Sequence, residues 1–352
     1  MKKNLLILFG GESTEHKVSC VSAYNVINGV NKEKYNVLTV GITEDGKWYL
    51  FEGDTEKIKD GSWEKEENFE AFVSPSKSHK GIVVIKNGKA EIKGVDVCFP
   101  VLHGKNGEDG TVQGLLELSG INYVGGKTLA SSLCMDKIMA KMILEKNEIP
   151  QTPYVYLLKS DYTGDAEQLK SLAAPLGFPL FVKPSNAGSS IGASKAEDLE
   201  GLKRSVENAF KYDGKALIEK FVRCREIETA VMGNTVLKFA GPGEILSESE
   251  FYDYDTKYIT NADVGYGIPA DISEKDAKTI KEYALKAYKA LDCRGLSRLD
   301  FFIDKDSGTI YLNEINTIPG FTDISMFPKL FMSEGYTYAE LLDELLETSI
   351  DG

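Results

Sequence analysis

Cysteine is scarce in this chain of 352 residues, and its five copies (Cys20, Cys98, Cys134, Cys224, Cys293) lie far apart. An odd count without a CxxC pair supports neither a disulfide framework nor a zinc site, so reduced thiols in a cytoplasmic protein are expected. Proline is also sparse, 11 residues against 33 glycines, and there is no internal repeat or low-complexity tract. Long apolar runs are missing: nothing approaches the roughly 20 consecutive residues of a membrane span. The run Leu5–Phe9 ends at Gly10-Gly11, shorter than the roughly 7–15 residues of a signal peptide's apolar region. An excess of positive charge is missing too. The 41 Lys+Arg against 54 Asp+Glu give a net charge of −13, which argues against a nucleic acid or an anionic membrane as partner. Net charge does not exclude a small anion held in a local cationic pocket.

What is present is globular: 42% hydrophobic and 27% charged residues, enough to bury sizeable cores. At roughly 100–200 residues per domain, the length implies two or three domains. Leu5–Phe9 reads as a strand buried on both faces, followed by a helix with Cys20, Ala23, Ile27 and Val30 on one side. Strand-like runs recur at Val37–Ile42, Ile82–Ile85 and Val95–Val101, the last followed by Gly107-Glu-Asp-Gly110 and a helix ending at Gly120. That alternation predicts an open α/β sheet over residues 1–125. Residues 53–80 are polar and weakly periodic and read as a surface connection. His16 and His79 read as surface residues.

Residues 126–212 look like a smaller α+β unit with a strand at Phe178–Lys183 and a helix opened by a Ser194/Glu197 capping box. Residues 213–352 bring strands at Ala216–Lys220, Ile227–Met232, Leu299–Ile303 and Thr309–Ile315. Ser273/Asp276 and Thr337/Glu340 are expected to open two further helices.

The sharpest chemical pattern is Arg298-Leu-Asp300 with Glu314-Ile-Asn316. Each pair is spaced i, i+2, so both members face one side of a strand. The turn-forming Asp304-Lys-Asp-Ser-Gly308 between them predicts an antiparallel hairpin with Asp300 opposite Glu314 and Arg298 opposite Asn316. Two carboxylates and an amide oxygen suit magnesium, and the arginine suits a phosphate. The competing reading is a solvated polar sheet face. Against it, Asn316-Thr-Ile-Pro-Gly320 follows at once, a rigid turn whose Gly320 lets backbone amides approach a ligand.

Lys183-Pro-Ser-Asn-Ala-Gly-Ser-Ser-Ile-Gly192 offers backbone N–H groups and hydroxyls to an anion, although no GK[ST] closes it as a Walker motif. Small residues of this kind also form plain flexible connections. Lys137 sits at an expected helix start. Gly10-Gly-Glu-Ser-Thr-Glu15 and Leu102-His103-Gly-Lys-Asn-Gly-Glu-Asp-Gly110 each follow a buried strand, where ligands collect in open parallel sheets. Phe251-Tyr-Asp-Tyr-Asp-Thr-Lys-Tyr258, with glycines at 265 and 267, lacks strand or helix period and resembles a lid.

Taken together, in order from residue 9 to about 328, these segments resemble the D-alanine–D-alanine ligases of the ATP-grasp superfamily. Met135-Asp-Lys137, Val182-Lys-Pro184, Gly188-Ser-Ser-Ile-Gly192 and Gly295-Leu-Ser-Arg-Leu-Asp300 carry the resemblance with the motifs above. It implies an N-terminal α/β domain followed by a two-lobed α+β ATP-grasp unit with ATP between the lobes. Lys137 and Lys183 then match the phosphate-holding lysines, with Ser189, Ser190 and Lys257 nearby. Glu219, Lys220, Phe221 and Val222 fall in the adenine hinge, and Glu226 matches the ribose carboxylate. Asp300, Glu314 and Asn316 match the ligands of magnesium, for which manganese can substitute.

For the substrates, the resemblance puts Glu15 at the ammonium of the first D-alanine and His103 near its carboxylate. Ser325 falls where the second amino acid's carboxylate binds, with Met326 beside it. Ser189 and Tyr258 match residues that latch a mobile loop with Glu15. The family reaction passes through an acyl phosphate, and Arg298 and the Gly320 amide are candidates for stabilising the oxyanion. Tyr258 speaks against a D-lactate product. Met326, where resistance-type relatives often carry arginine, favours D-alanine over D-serine as second substrate. A homodimer is the family expectation.

Overall fold

Three sheets organise the chain, and the computed structural model describes residues 2–188, 191–246 and 265–351. The first has eight strands with Lys3–Gly10 near its centre. Lys3–Gly10 pairs in parallel with Tyr35–Ile42 and Val97–Pro100, and Asn122–Tyr123 extends that side. Leu5 to Phe9 are fully buried, as a strand covered on both faces requires. The other half of the sheet departs from the all-parallel expectation. From Tyr35–Ile42 outward the strands Trp48–Phe51, Phe69–Val73, Gly81–Lys86 and Lys89–Gly94 pair antiparallel. The outermost turn is Asn87-Gly88, both at positive φ (52° and 73°), the geometry a two-residue hairpin demands.

Residues 53–80 are more than the surface connection expected. They hold the strand Phe69–Val73 and deliver Trp63, fully buried, against Phe9 at 4.9 Å and Phe51 at 6.3 Å between ring centroids. Gly41 makes room for that indole: a Cβ there would lie 2.5 Å from it. A single aromatic anchors an otherwise polar stretch. His16, expected on the surface, is buried at the start of helix His16–Gly29, with Nδ1 3.0 Å from the Gly11 carbonyl and Nε2 3.5 Å from Glu64.

The second sheet orders its strands Ser194–Ala196, Leu180–Pro184, Lys215–Lys220 and Tyr154–Leu158, all antiparallel. Lys215–Lys220 lies inside this sheet, so the expected division at 212/213 cuts it and the chain leaves it only after Lys220. Helix Leu199–Ala209 is capped by Asp198, whose side chain accepts from the Gly201 N–H at 2.7 Å. Ser194 is instead paired in its strand, so the expected capping box does not form. Asp198 wins because an Ncap residue must directly precede the first helical turn.

The third sheet runs Gly265–Gly267, Lys238–Leu246, Cys224–Met232, Leu296–Asp304, Ile310–Asn316. Helix Glu274–Ala290, capped by Ser273 as expected, covers one face with Ile280, Ala284, Ala287 and Tyr288. Ala140 and Leu144 of helix Lys137–Lys146 join that core. The Thr337/Glu340 box is reciprocal, each side chain accepting from the other residue's N–H (3.2 and 2.8 Å). It opens helix Tyr338–Asp351, whose Leu341, Leu342, Leu345 and Leu346 share a core with Leu5, Ile7 and Val26. The chain end therefore clamps the third sheet to the first, with each buried leucine contributing about 2 kcal/mol. Among the described residues no helix is long and apolar enough to cross a membrane.

Candidate active site

The hairpin forms in the expected register. Asp300 pairs with Glu314 and Arg298 with Asn316, with a bulge after Asp300. Arg298 grips Asp300 through two bonds of 2.7 Å and reaches Glu228 at 3.0 Å. Asn316 donates to Asp300 at 3.0 Å. Burial works against the guanidinium's charge, but Asp300 and Glu228 overcome it and raise its pKa well above the ordinary arginine value. Glu314 lies 3.5 Å from the Lys137 ammonium. The three expected metal residues are thus together and offer only hard oxygens, a set that fits a divalent cation. Among the described residues no group of three His, Cys, Asp or Glu side chains converges elsewhere or here, so the amide of Asn316 would have to serve as a ligand.

Two cavities meet at this hairpin. The first, about 760 Å³ of open space, is lined by Glu15, His103, Glu108, Arg298, Asn316 and Gly320, among others. The second, about 1120 Å³, lies between the second and third sheets against Lys183, Glu219, Phe221, Glu226 and Asp300. Lys137 and Glu314 line both.

Lys137 is the first helical residue after Asp136, whose carboxylate accepts from the Met139 N–H at 3.3 Å and from the Ser185 hydroxyl at 2.5 Å. Lys215 also contacts Asp136. This knot ties the helix start to the end of the Lys183 strand and holds both lysines at the cavity. Lys137 donates to the Ala187 carbonyl at 2.8 Å, and a Cβ on Gly188 would lie 2.7 Å from a Glu15 oxygen. Gly188 therefore lies directly against Glu15, at a spacing only glycine permits.

Glu219 is buried and fully engaged. It accepts from Thr152 at 2.5 Å and pairs with Lys141 and Lys183, each at 2.7 Å. Burial alone would raise its pKa, but the two ammoniums hold it well below the usual carboxylate range. Lys220, Phe221 and Val222 line the same cavity with Glu226. Lys195 lies over the Phe221 ring at 4.4 Å.

In the first cavity His103 donates from Nδ1 to the Ile318 carbonyl (3.1 Å), and its Nε2 faces the Ser22 hydroxyl at 3.4 Å. Burial lowers its pKa and the neighbouring Glu15 only partly offsets this. Glu108 is pushed up to about 8, first by burial and then by Glu15, despite accepting from the Gly104 N–H at 2.7 Å. Ser325 precedes helix Met326–Ser333 and binds Thr322 (3.0 Å to its N–H) rather than lining either cavity. A Cβ on Gly320 would strike its hydroxyl at 2.7 Å. Met326 is buried in the core with Phe327 and Leu330. Ser189, Ser190, Lys257, Tyr258 and the lid segment lie outside the described residues.

Glu108, Glu228 and Lys141 went unnoticed in the sequence. Glu108 stood inside a quoted motif, and Glu228 sits i, i+2 from Glu226 on a strand already expected. Lys141 is one helical turn after Lys137, a spacing that puts both on one face.

Two antiparallel sheets closing on a lysine-lined cavity, with an acidic hairpin on one wall, define an ATP-grasp fold, and solved structures of that fold match the chain throughout. The VanG D-Ala:D-Ser ligase of Enterococcus faecalis matches with a TM-score of 0.90 and 38% identity, covering 99% of this chain and 100% of that one. The D-alanine–D-alanine ligase of Coxiella burnetii gives 0.85 and 34%, covering 99% and 96%. The family models described as D-ala D-ala ligase N-terminus and C-terminus match residues 4–126 and 143–347. The D-alanine–D-alanine ligase of Clostridium acetobutylicum is 48% identical over 348 residues, 99% of this chain and 98% of its own. That of Thermoanaerobacter sp. (strain X514) is 46% identical over 350 residues, 99% and 97% respectively. The chain belongs to the D-alanine–D-alanine ligase family.

Proposed function

We infer that this chain is an ATP-dependent ligase that joins two D-alanines, through a D-alanyl phosphate, into the dipeptide used for peptidoglycan. The observation that carries this reading is the shared wall. Two cavities meet at Lys137 and Glu314, so a terminal phosphate in the second would face a carboxylate in the first. Phosphoryl transfer needs positioning and charge neutralisation above all.

Lys137 and Lys183, with Ser189, Ser190 and Lys257, hold the phosphates in this reading. Glu219 to Val222 border the adenine and Glu226 the ribose. Glu15 takes the first ammonium, and His103 lies beside its carboxylate. Arg298 and the Gly320 amide stabilise the tetrahedral oxyanion when the second amine attacks, with Ser325 packed behind Gly320. Tyr258 and Ser189 latch the loop with Glu15 and keep water from the acyl phosphate. Asp300, Glu314 and Asn316 would hold magnesium or manganese, which would neutralise phosphate charge. The three-part division of the chain, a homodimer, a cytoplasmic setting and the absence of nucleic-acid or membrane partners belong to the same reading.

One observation favours a second reading, D-serine as the second substrate: the match to the VanG D-Ala:D-Ser ligase. Phosphate release separates the two. ATP with D-alanine alone is expected to support turnover; release only when D-serine is added would replace the first reading with the second.

A further inference from the structure

Lys141, paired behind the nucleotide cavity with Glu219, has no part in the ligase chemistry described above. Its side chain is 2% exposed, and it is absent from the surface lining either cavity, so it touches no ligand. Its ammonium nonetheless sits in the charged cluster, 2.7 Å from Glu219, 3.4 Å from the Thr152 hydroxyl and 5.1 Å from the centre of the Tyr154 ring. Burying a lysine is costly unless it is paired. Its partner is the same carboxylate that holds Lys183.

Two ammoniums therefore share one carboxylate, on opposite oxygens: Lys141 on Oε1 and Lys183 on Oε2. They differ in what else they can reach. Lys183 lines the cavity and has a second, weaker partner in the Asn313 side-chain oxygen at 3.3 Å. Lys141 is enclosed by its helix, Thr152 and Tyr154.

We propose that Lys141 is a positioning residue for phosphate binding: a permanent counter-ion that neutralises Glu219, so that Lys183 can be turned from Glu219 to the nucleotide phosphates. The inference rests on the nucleotide reading of this cavity. The cluster of Lys141, Glu219 and Lys183 carries a net charge of +1. Remove Lys141 and the sum is zero, with Lys183 the one ion pair left to Glu219 among the described residues. A phosphate must then break that pair to recruit the lysine. The loss is specific to phosphate, because adenosine fills the same adenine and ribose contacts without asking anything of Lys183.

The test is the ratio of affinities for magnesium–ADP and adenosine, measured calorimetrically on the full chain. In Lys141→Met that ratio is expected to fall at least about tenfold, the scale of one unit charge a few ångströms away in a partly shielded site. Lys141→Arg, which keeps the charge, should restore most of it. Lys141→Met combined with Glu219→Gln returns the net charge to +1 and should bring the ratio back within about threefold of the parent. A merely structural lysine would weaken both ligands alike, and a second core substitution would not rescue it.

An unchanged ratio in folded Lys141→Met would overturn the proposal, as would an equally low ratio in the double variant. Should Lys141→Met fail to fold, Lys141→Gln, equally uncharged but able to hydrogen-bond Glu219 and Thr152, takes its place under the same criteria. Failure of the nucleotide reading looks different: the parent itself would then bind no ADP.

Discussion

Glu219, buried, and Glu108, half-buried, stand on the walls of two adjoining cavities, and their protons go opposite ways. Glu219 lies between two lysines and is held ionised far into the acid range. Glu108 has the Gly104 N–H as its donor and Glu15 as its charged neighbour, and keeps its proton to about pH 8. Burial pushes both carboxyls in the same direction, so the cations decide the outcome. In the proposed reading one wall receives the polyanion, and the other keeps its negative charge low where the substrate carboxylate comes.

The largest contrast should come from Arg298, which lines the first cavity and reaches the second only through Asp300 and Glu228. Arg298→Met is expected to lower the turnover number for phosphate release by about a thousandfold or more. Adenosine affinity should stay within about threefold. A comparable loss of adenosine binding would mean the two cavities are not separable.

Glu314 lies on the shared wall. Glu314→Gln should raise the magnesium concentration for half-maximal rate by about tenfold to a hundredfold. Full turnover at limiting magnesium would remove Glu314 from the metal site.

The two carboxylates themselves give smaller, opposite stability effects. Glu219→Gln leaves Lys141 buried without its counter-ion and should cost about 3 kcal/mol in denaturant unfolding at neutral pH. Because the folded pKa of Glu219 lies below its ordinary 4.5, its stabilisation is complete above that value and is lost as pH falls. The gap between parent and variant should therefore close on acidification. A gap that persists undiminished into the acid range would contradict the ion-pair account.

Glu108→Gln should do least near pH 5, where folded and unfolded chains differ little in Glu108's protonation. Between its ordinary 4.5 and about 8, the unfolded chain releases a proton that the folded chain keeps. Raising the pH across that window therefore destabilises the parent, while the glutamine variant has nothing to ionise. Its melting temperature should overtake the parent's progressively from pH 5 to 8 and run parallel above. Parallel curves throughout would put Glu108 in the ordinary carboxylate range.

How much of this was legible in the sequence depended on distance along the chain. The metal-side hairpin was readable to the register, because alternation and a turn of Asp, Ser and Gly are local signals. So were the Ser273 and Thr337 caps. The antiparallel half of the first sheet was missed even though Asn87-Gly88 announces a hairpin. Trp63 was missed because its burial depends on Phe9, Phe51 and the missing side chain of Gly41. Single aromatics in polar stretches carry no period. Lys141 and Glu219 meet only after two lobes fold, and nothing local marks either as half of a pair. Glu108 was in view within its motif, but its altered proton affinity comes from burial and from Glu15, far earlier in the chain. Local geometry is written in the spacing of residues; the electrostatics of a site is written in what folding brings against it.

The account stands on two cavities that hand a phosphate across a shared wall to a substrate carboxylate. D-Alanine labelled with heavy oxygen in its carboxyl group, incubated with ATP, magnesium and the enzyme, tests that transfer directly. Mass spectrometry of the products is expected to find the dipeptide, with one heavy oxygen per turnover in the released phosphate. Dipeptide formed with unlabelled phosphate would contradict the acyl phosphate and the geometry proposed for it.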